Sequence, residues 1–116
     1  MGKRIGAVED LAVIDKSFWK ARRVLVTGHT GFKGSWISLW LASLGAEVTG
    51  YALAPATEPN MFDAANVAKG LMESVIADIR DIDRLRQVIE KVRPEVVIHL
   101  AAQPLVRASY ADPLET

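Results

Sequence analysis

Arg23-Val24-Leu25-Val26-Thr27-Gly28-His29-Thr30-Gly31-Phe32-Lys33-Gly34-Ser35 is the stretch from which the fold reads outward. Residues 23–27 form a short apolar run that stops at a glycine, the pattern of a strand buried on both faces of a parallel sheet. Glycines then stand at 28, 31 and 34, a G-x-x-G-x-x-G spacing. The first lets the chain turn sharply off the strand, the second lets backbone N–H groups approach a phosphate, and the third lets a helix pack closely on the sheet. From Gly31 to Leu44 the apolar residues Trp36, Ile37, Trp40, Leu41 and Leu44 recur at helical spacing, which predicts a helix with this stripe in the core and Gly45 ending it.

Beyond this unit the elements alternate. Glu47 to Leu53 reads as a second strand, followed by a loop with Pro55 and Pro59, a short helix within Asn60 to Lys69, and a third strand from Met72 to Ala77. Asp81 caps a helix carrying Ile82, Leu85, Val88, Ile89 and Val92 on one face, and Pro94 closes it. Glu95 to Ala101 reads as the fourth strand. Asp112-Pro113 suits the N-cap and first position of a further helix that the chain enters by two or three residues. Apolar runs joined by helices predict an α/β fold, the N-terminal half of a doubly wound parallel sheet (Rossmann fold) in strand order 3-2-1-4. Ligands of such sheets sit beyond the strand C-termini at the switch point, between the first and fourth strands. Residues 1–13 read as a leader and 14–116 as the partial domain.

Composition narrows the chemistry. Of 116 residues half are hydrophobic and 24% charged, so a packed core is expected in place of disorder. Fourteen basic and fourteen acidic side chains cancel, which leaves no field for nucleic acid or a membrane surface, and any phosphate must be held locally. With no cysteine, disulfides, thiolate nucleophiles and Cys-based metal sites are excluded, and a reducing, cytoplasmic setting fits. The one apolar stretch of the leader, Leu11 to Ile14, is too short for a signal h-region or a membrane span. No metal site is expected.

At the glycine turn a dinucleotide pyrophosphate would rest on the helix N-terminus, where free N–H groups and the macrodipole favour negative charge, with Lys33 adding a positive charge beside it. A P-loop requires Gly-Lys-Ser/Thr, and the order Lys33-Gly34-Ser35 does not supply it. The acid that normally binds the adenosine ribose is missing, because the second strand ends Gly50-Tyr51-Ala52-Leu53. The residues alone therefore leave NAD against NADP open. Asp78 is placed to accept from an adenine amino group, or is a plain turn carboxylate. His99 reads as a hydrogen-bonded strand histidine, His29 as a phosphate-loop or solvated turn residue, and Phe18 and Trp19 as packing.

These strings together resemble the extended short-chain dehydrogenase/reductase superfamily: Thr27-Gly28-His29-Thr30-Gly31-Phe32-Lys33-Gly34, Asp78-Ile79-Arg80-Asp81 and His99-Leu100-Ala101-Ala102-Gln103. Phe18-Trp19, Ser35-Trp36, Gln103-Pro104-Leu105-Val106-Arg107 and Ser109-Tyr110 make the CDP-glucose 4,6-dehydratases the most similar family within it. The resemblance runs from about Ile14 to Thr116. It implies a tightly held NAD, with Gly28, Thr30, Gly31, Phe32, Lys33 and Gly34 along its phosphates and ribose. Asp78 and Ile79 would meet the adenine, Leu100, Ala101, Ala102 and Gln103 the central part of the cofactor, and Thr116 the nicotinamide end. It further implies a homodimer that takes CDP-glucose, oxidises C4 with NAD, eliminates water across C5 and C6, and returns hydride to C6, giving a 4-keto-6-deoxy sugar nucleotide.

One departure bears on activity. Such enzymes use a Tyr-x-x-x-Lys pair, in which the ammonium and the cofactor charge lower the tyrosine pKa. Tyr51 is followed four residues later by Pro55 and Tyr110 by Leu114, so no catalytic residue of that kind is assigned within the 116 residues. The expectation is the NAD-binding portion of a lyase, inactive and marginally stable by itself. The alternatives are the same portion of a sugar-nucleotide epimerase or reductase, or a non-catalytic NAD-binding module.

Overall fold

The computed structural model describes residues 15–116; the expected leader, 1–13, lies outside them. A short helix α1 (Lys16–Trp19), capped by the Asp15 carboxylate, precedes the central strand β1 (Arg23–Thr27). Then come α2 (Phe32–Ser43), β2 (Glu47–Ala52), α3 (Met61–Ala64), a 3₁₀ turn (Val67–Gly70) and β3 (Glu73–Ile76). The chain continues with α4 (Ile82–Val92), β4 (Val96–His99) and α5 (Val106–Ala111). The four strands form one parallel sheet in the order β3-β2-β1-β4, as the sequence predicts.

Alternation along β1 decides the two cores. Val24 and Val26 point to the α2 face and meet Leu41, Ala46 and Val48, with Trp19, Ile37, Val96 and Ile98 around them. Leu25 points to the opposite face, where it meets Tyr51, Val75 and Val88 of α4. Asp81 caps α4 by accepting from the Arg84 N–H at 3.1 Å. Arg93 in the left-handed region ends that helix before Pro94.

Three details depart from the sequence reading. Trp36 and Trp40 are not core: they are 54% and 52% exposed on the outer flank of α2. The face turned inward carries Gly34, Ser35, Ser38 and Leu41, because small residues let the helix come close enough for its first turn to seat against the glycine turn. On α4, Val88 is buried while Ile82 and Ile89 lie exposed on one flank. Finally, residues 106–111 form α5, which has no apolar periodicity to announce it. Asp112 ends α5 and accepts from the Glu115 N–H at 3.1 Å, so it caps a turn where the sequence reading expected the start of a helix.

Candidate functional site

The turn after β1 is built from three glycines with three different constraints. Gly28 has φ +80°, donates its N–H to the Tyr51 carbonyl at 3.0 Å, and lies so close to β4 that a Cβ would sit 2.7 Å from the backbone of Leu100 and Ala101. At Gly34 a Cβ would fall 1.9 Å from the Gly28 carbonyl oxygen. These two are required by the protein's own packing. Gly31 is different: among the described residues beyond its chain neighbours a Cβ there would meet only the Gly28 carbonyl oxygen, at an ordinary contact distance of 3.4 Å, and the residue is exposed.

Gly31 is also the N-cap of α2, with no side chain to cap the helix. The first intrahelical bond is Ser35 N–H to Gly31 carbonyl at 2.8 Å, which leaves the N–H groups of Phe32, Lys33 and Gly34 without helical acceptors. Lys33 is exposed beside them and takes part in no ion pair among the described residues. Phe32 is exposed as well, whereas Thr30 is buried and donates its hydroxyl to the Leu53 carbonyl at 2.7 Å, tying the turn to the end of β2. Free amides at a helix N-terminus, with the macrodipole behind them and a cation beside them, are chemically suited to an anion.

His29 overturns its reading as a loop-lining or solvated residue, because its ring is fully buried. It fills the hole that Gly50 leaves in β2, where a Cβ would meet the imidazole at 2.3 Å. Nε2 lies 2.7 Å from the Ser74 hydroxyl, the ring stands edge-on to Phe62 at 5.3 Å, and Nδ1 has no hydrogen-bond partner among the described residues. Desolvation pushes this histidine down to about 4, with the Tyr51 carbonyl pulling weakly the other way. A glycine inside a strand run signals close approach by another group, and Gly50 was the clue in the sequence.

At the far side, Asp78 follows β3. Its carboxylate is gripped by Arg80 through Nε at 3.1 Å, Nη2 at 2.7 Å and the Arg80 N–H at 2.8 Å, contacts that lower its pKa. Its carbonyl accepts the Tyr51 hydroxyl at 2.7 Å, so the end of β3 is braced against β2. Ile79 leans on the Leu25 core and is only partly exposed. The residues after β4 stand beside the glycine turn: Leu100 and Ala101 direct their N–H groups to the Thr27 hydroxyl at 3.1 and 3.3 Å. The same hydroxyl lies 2.6 Å from His99 Nδ1, a hydrogen bond that ties the end of β1 to the end of β4. His99 is hydrogen-bonded as expected, although exposed. Ala102 is exposed and Gln103 half-buried, and the Gln103 amide donates to the Thr116 hydroxyl at 3.1 Å.

Two clusters thus emerge at the carboxyl rim of the sheet. The turn residues 28–34 and the backbone of 100–101 touch across the β1–β4 switch point, while Gln103 joins Thr116. Asp78 and Ile79 lie two strands away, past β2. Among the described residues no group of His, Asp and Glu is arranged to hold a metal.

Residues 25–116 match the family model described as GDP-mannose 4,6 dehydratase. The chain belongs to the GDP-mannose 4,6 dehydratase family. Within reach of that family, it is 58% identical to the CDP-glucose 4,6-dehydratase of Salmonella typhimurium over 90% of its own length, which bears out the resemblance read from the sequence. The UDP-glucose 4-epimerase of Brucella ovis, solved in complex with NAD, is 33% identical with a TM-score of 0.65 over 82% of the chain. That of Stenotrophomonas maltophila, solved with bound NAD and formylated UDP-arabinopyranose, is 28% identical with a TM-score of 0.64 over 81%. The chain spans 29% of the length of the Salmonella enzyme and 27% and 28% of the two epimerases. No helix among the described residues is long and apolar enough to cross a membrane.

Proposed function

We propose that the chain is the NAD-holding portion of a CDP-glucose 4,6-dehydratase, a cytoplasmic homodimer that makes the 4-keto-6-deoxy sugar nucleotide. The observation that carries the reading is the unequal freedom of the three glycines. Gly28 and Gly34 are explained by packing, whereas packing among the described residues does not require a glycine at 31, the uncapped N-cap beside three free amides. A diphosphate suits these amides, with the N–H groups of Phe32, Lys33 and Gly34 donating to it and Lys33 neutralising it. Asp78 and Ile79 would receive the adenine end, and Leu100, Ala101, Ala102, Gln103 and Thr116 the other. The 58% identity supports CDP-glucose over other sugar nucleotides, and the NAD held by the two similar epimerases supports NAD as the cofactor.

When bound, NAD supplies the reversible hydride acceptor that a 4,6-dehydration needs. The residues present here bind and orient: the Thr30–Leu53 bond fixes the turn, and the Thr27–Leu100–Ala101 contacts close the switch point. Neither Tyr51 nor Tyr110 is followed by a lysine four residues on, so proton transfer at the sugar is assigned to none of the 116 residues.

The test is a chimera in which residues 15–116 replace the matching part of the Salmonella enzyme. Expected is dinucleotide released on denaturation and conversion of CDP-glucose. A folded chimera that carries no dinucleotide would overturn the cofactor assignment, and one that carries it without converting CDP-glucose would overturn the assignment of this portion to a CDP-glucose 4,6-dehydratase.

A further inference from the structure

The glycine turn leaves β1 through a left-handed residue and has no side-chain cap, yet its free amides face a ligand only if the turn is held at one height above the strand ends. Besides the Thr30–Leu53 bond, the contacts that hold it come from His29, the one fully buried bulky side chain in it. The His29 ring occupies the hole above Gly50 in β2, bonds Ser74 in β3 and stands edge-on to Phe62 in α3. Its carbonyl accepts the Ser35 hydroxyl at 2.9 Å in the first turn of α2. A single residue thereby fastens the turn to two strands and two helices. The ring is shut off from solvent, so it cannot touch a bound dinucleotide and acts only through the backbone.

We propose that His29 is the positioning residue of the cofactor turn: seated over Gly50 and tied to Ser74, it sets where the amides of residues 32–34 point. This rests on the dinucleotide reading of the turn. A smaller side chain leaves the loop loose with the core otherwise intact. A misplacement of about 1 Å at a preorganised site is enough to cost one or two orders of magnitude.

The experiment compares His29→Ala, His29→Gln, Gly50→Ala and the double variant His29→Ala/Gly50→Ala in the 116-residue chain, by amide exchange and by NAD titration. His29→Ala is expected to speed exchange of residues 28–34 about tenfold while Val24 to Val26 stay protected, and to weaken NAD about tenfold or more. His29→Gln, whose carboxamide reaches toward Ser74, regains most of the affinity. Gly50→Ala disrupts the turn when the ring is present and is tolerated once the ring is gone. Equal loss in the Ala and Gln variants, or faster exchange spread evenly over β1 and the turn, would reduce the ring to ordinary core packing and overturn the proposal. If His29→Ala does not fold, the exchange pattern of His29→Gln against Gly50→Ala decides. A parent chain that takes no NAD refutes the cofactor reading, while the exchange pattern still decides the strut.

Discussion

β1 and β4 are neighbours in one sheet and nearly equal in sequence character, yet they end in opposite environments. Val24, Leu25 and Val26 are fully enclosed, whereas Val97, the partner of Leu25 in register, is 54% exposed on the same face. β1 has a strand on each side and a helix on each face. Among the described residues β4 pairs only with β1, and the cluster that α4 joins takes in Leu25 and Val75 but not Val97. An apolar run therefore states what a strand is built to be buried against, and the position in the sheet decides how much of that burial these residues receive.

The sharpest way to break the comparison lies at the β1 end, where the glycines are most constrained. Gly34→Ala places a methyl 1.9 Å from the Gly28 carbonyl oxygen, a backbone clash that no rotamer relieves. The expected result is loss of the cooperative urea transition. Gly31→Ala meets nothing nearer than 3.4 Å, so its transition should stay within about 1 kcal/mol of the parent while NAD titration weakens. If both variants melt alike, the division between packing glycines and a ligand glycine is wrong.

Next in size is Leu25→Ala, which empties a site in the α4-side core and should lower stability by about 2–5 kcal/mol. Chemical denaturation with an unchanged slope checks it. A loss below about 1 kcal/mol would mean that the cluster of Leu25, Tyr51, Val75 and Val88 is loosely packed.

Acid should act through His29. Its ordinary value is 6.5 and its folded value about 4, so between those limits the unfolded chain takes a proton that the fold refuses. Stability is fully present above pH 6.5 and falls as the pH drops toward 4, by roughly 3 kcal/mol at most at about 1.4 kcal/mol per unit. His29→Gln should flatten the stability profile in this window. Asp78 and Glu95 are both held below their ordinary values by arginine contacts; Glu95 begins to lose its contribution below its ordinary value of 4.5, near the foot of this window, and Asp78 below 3.8, in parent and variant alike. A parent profile as flat as the variant's from pH 6.5 to 4 would mean that the ring is hydrated.

Much of this was legible because it is local. The glycine spacing, the Asp81 cap, the Gly45 stop and the strand order follow from periodicity and turn chemistry. What was not legible depends on the third dimension. The sequence shows a histidine after Gly28 and a glycine inside β2, 21 positions apart in the numbering, and only the parallel register makes one the socket of the other. Trp36 and Trp40 obey helical spacing, but the nearness that Gly34 imposes between helix and sheet reserves the inner face for small residues. The expected ligand contacts of Ile79, Gln103 and Thr116 rest on resemblance, and that of Asp78 on its place at a strand end as well. Geometry adds that Asp78 already spends its oxygens on Arg80 and that Gln103 already meets Thr116.

The smallest effect belongs to β4 and isolates the edge from the core. Val97→Lys removes a half-exposed methyl pair and adds a charge that reaches solvent, so the unfolding free energy should change by less than about 0.5 kcal/mol, a small fraction of the Leu25→Ala loss one strand away. The same lysine sits on an edge strand whose outer N–H and C=O groups are open to pairing with another chain, and charge there opposes such pairing. Light scattering at rising concentration should therefore show less self-association than in the parent at nearly equal stability. A stability loss approaching that of Leu25→Ala would mean that Val97 is enclosed in solution, and the contrast between the two strands would vanish.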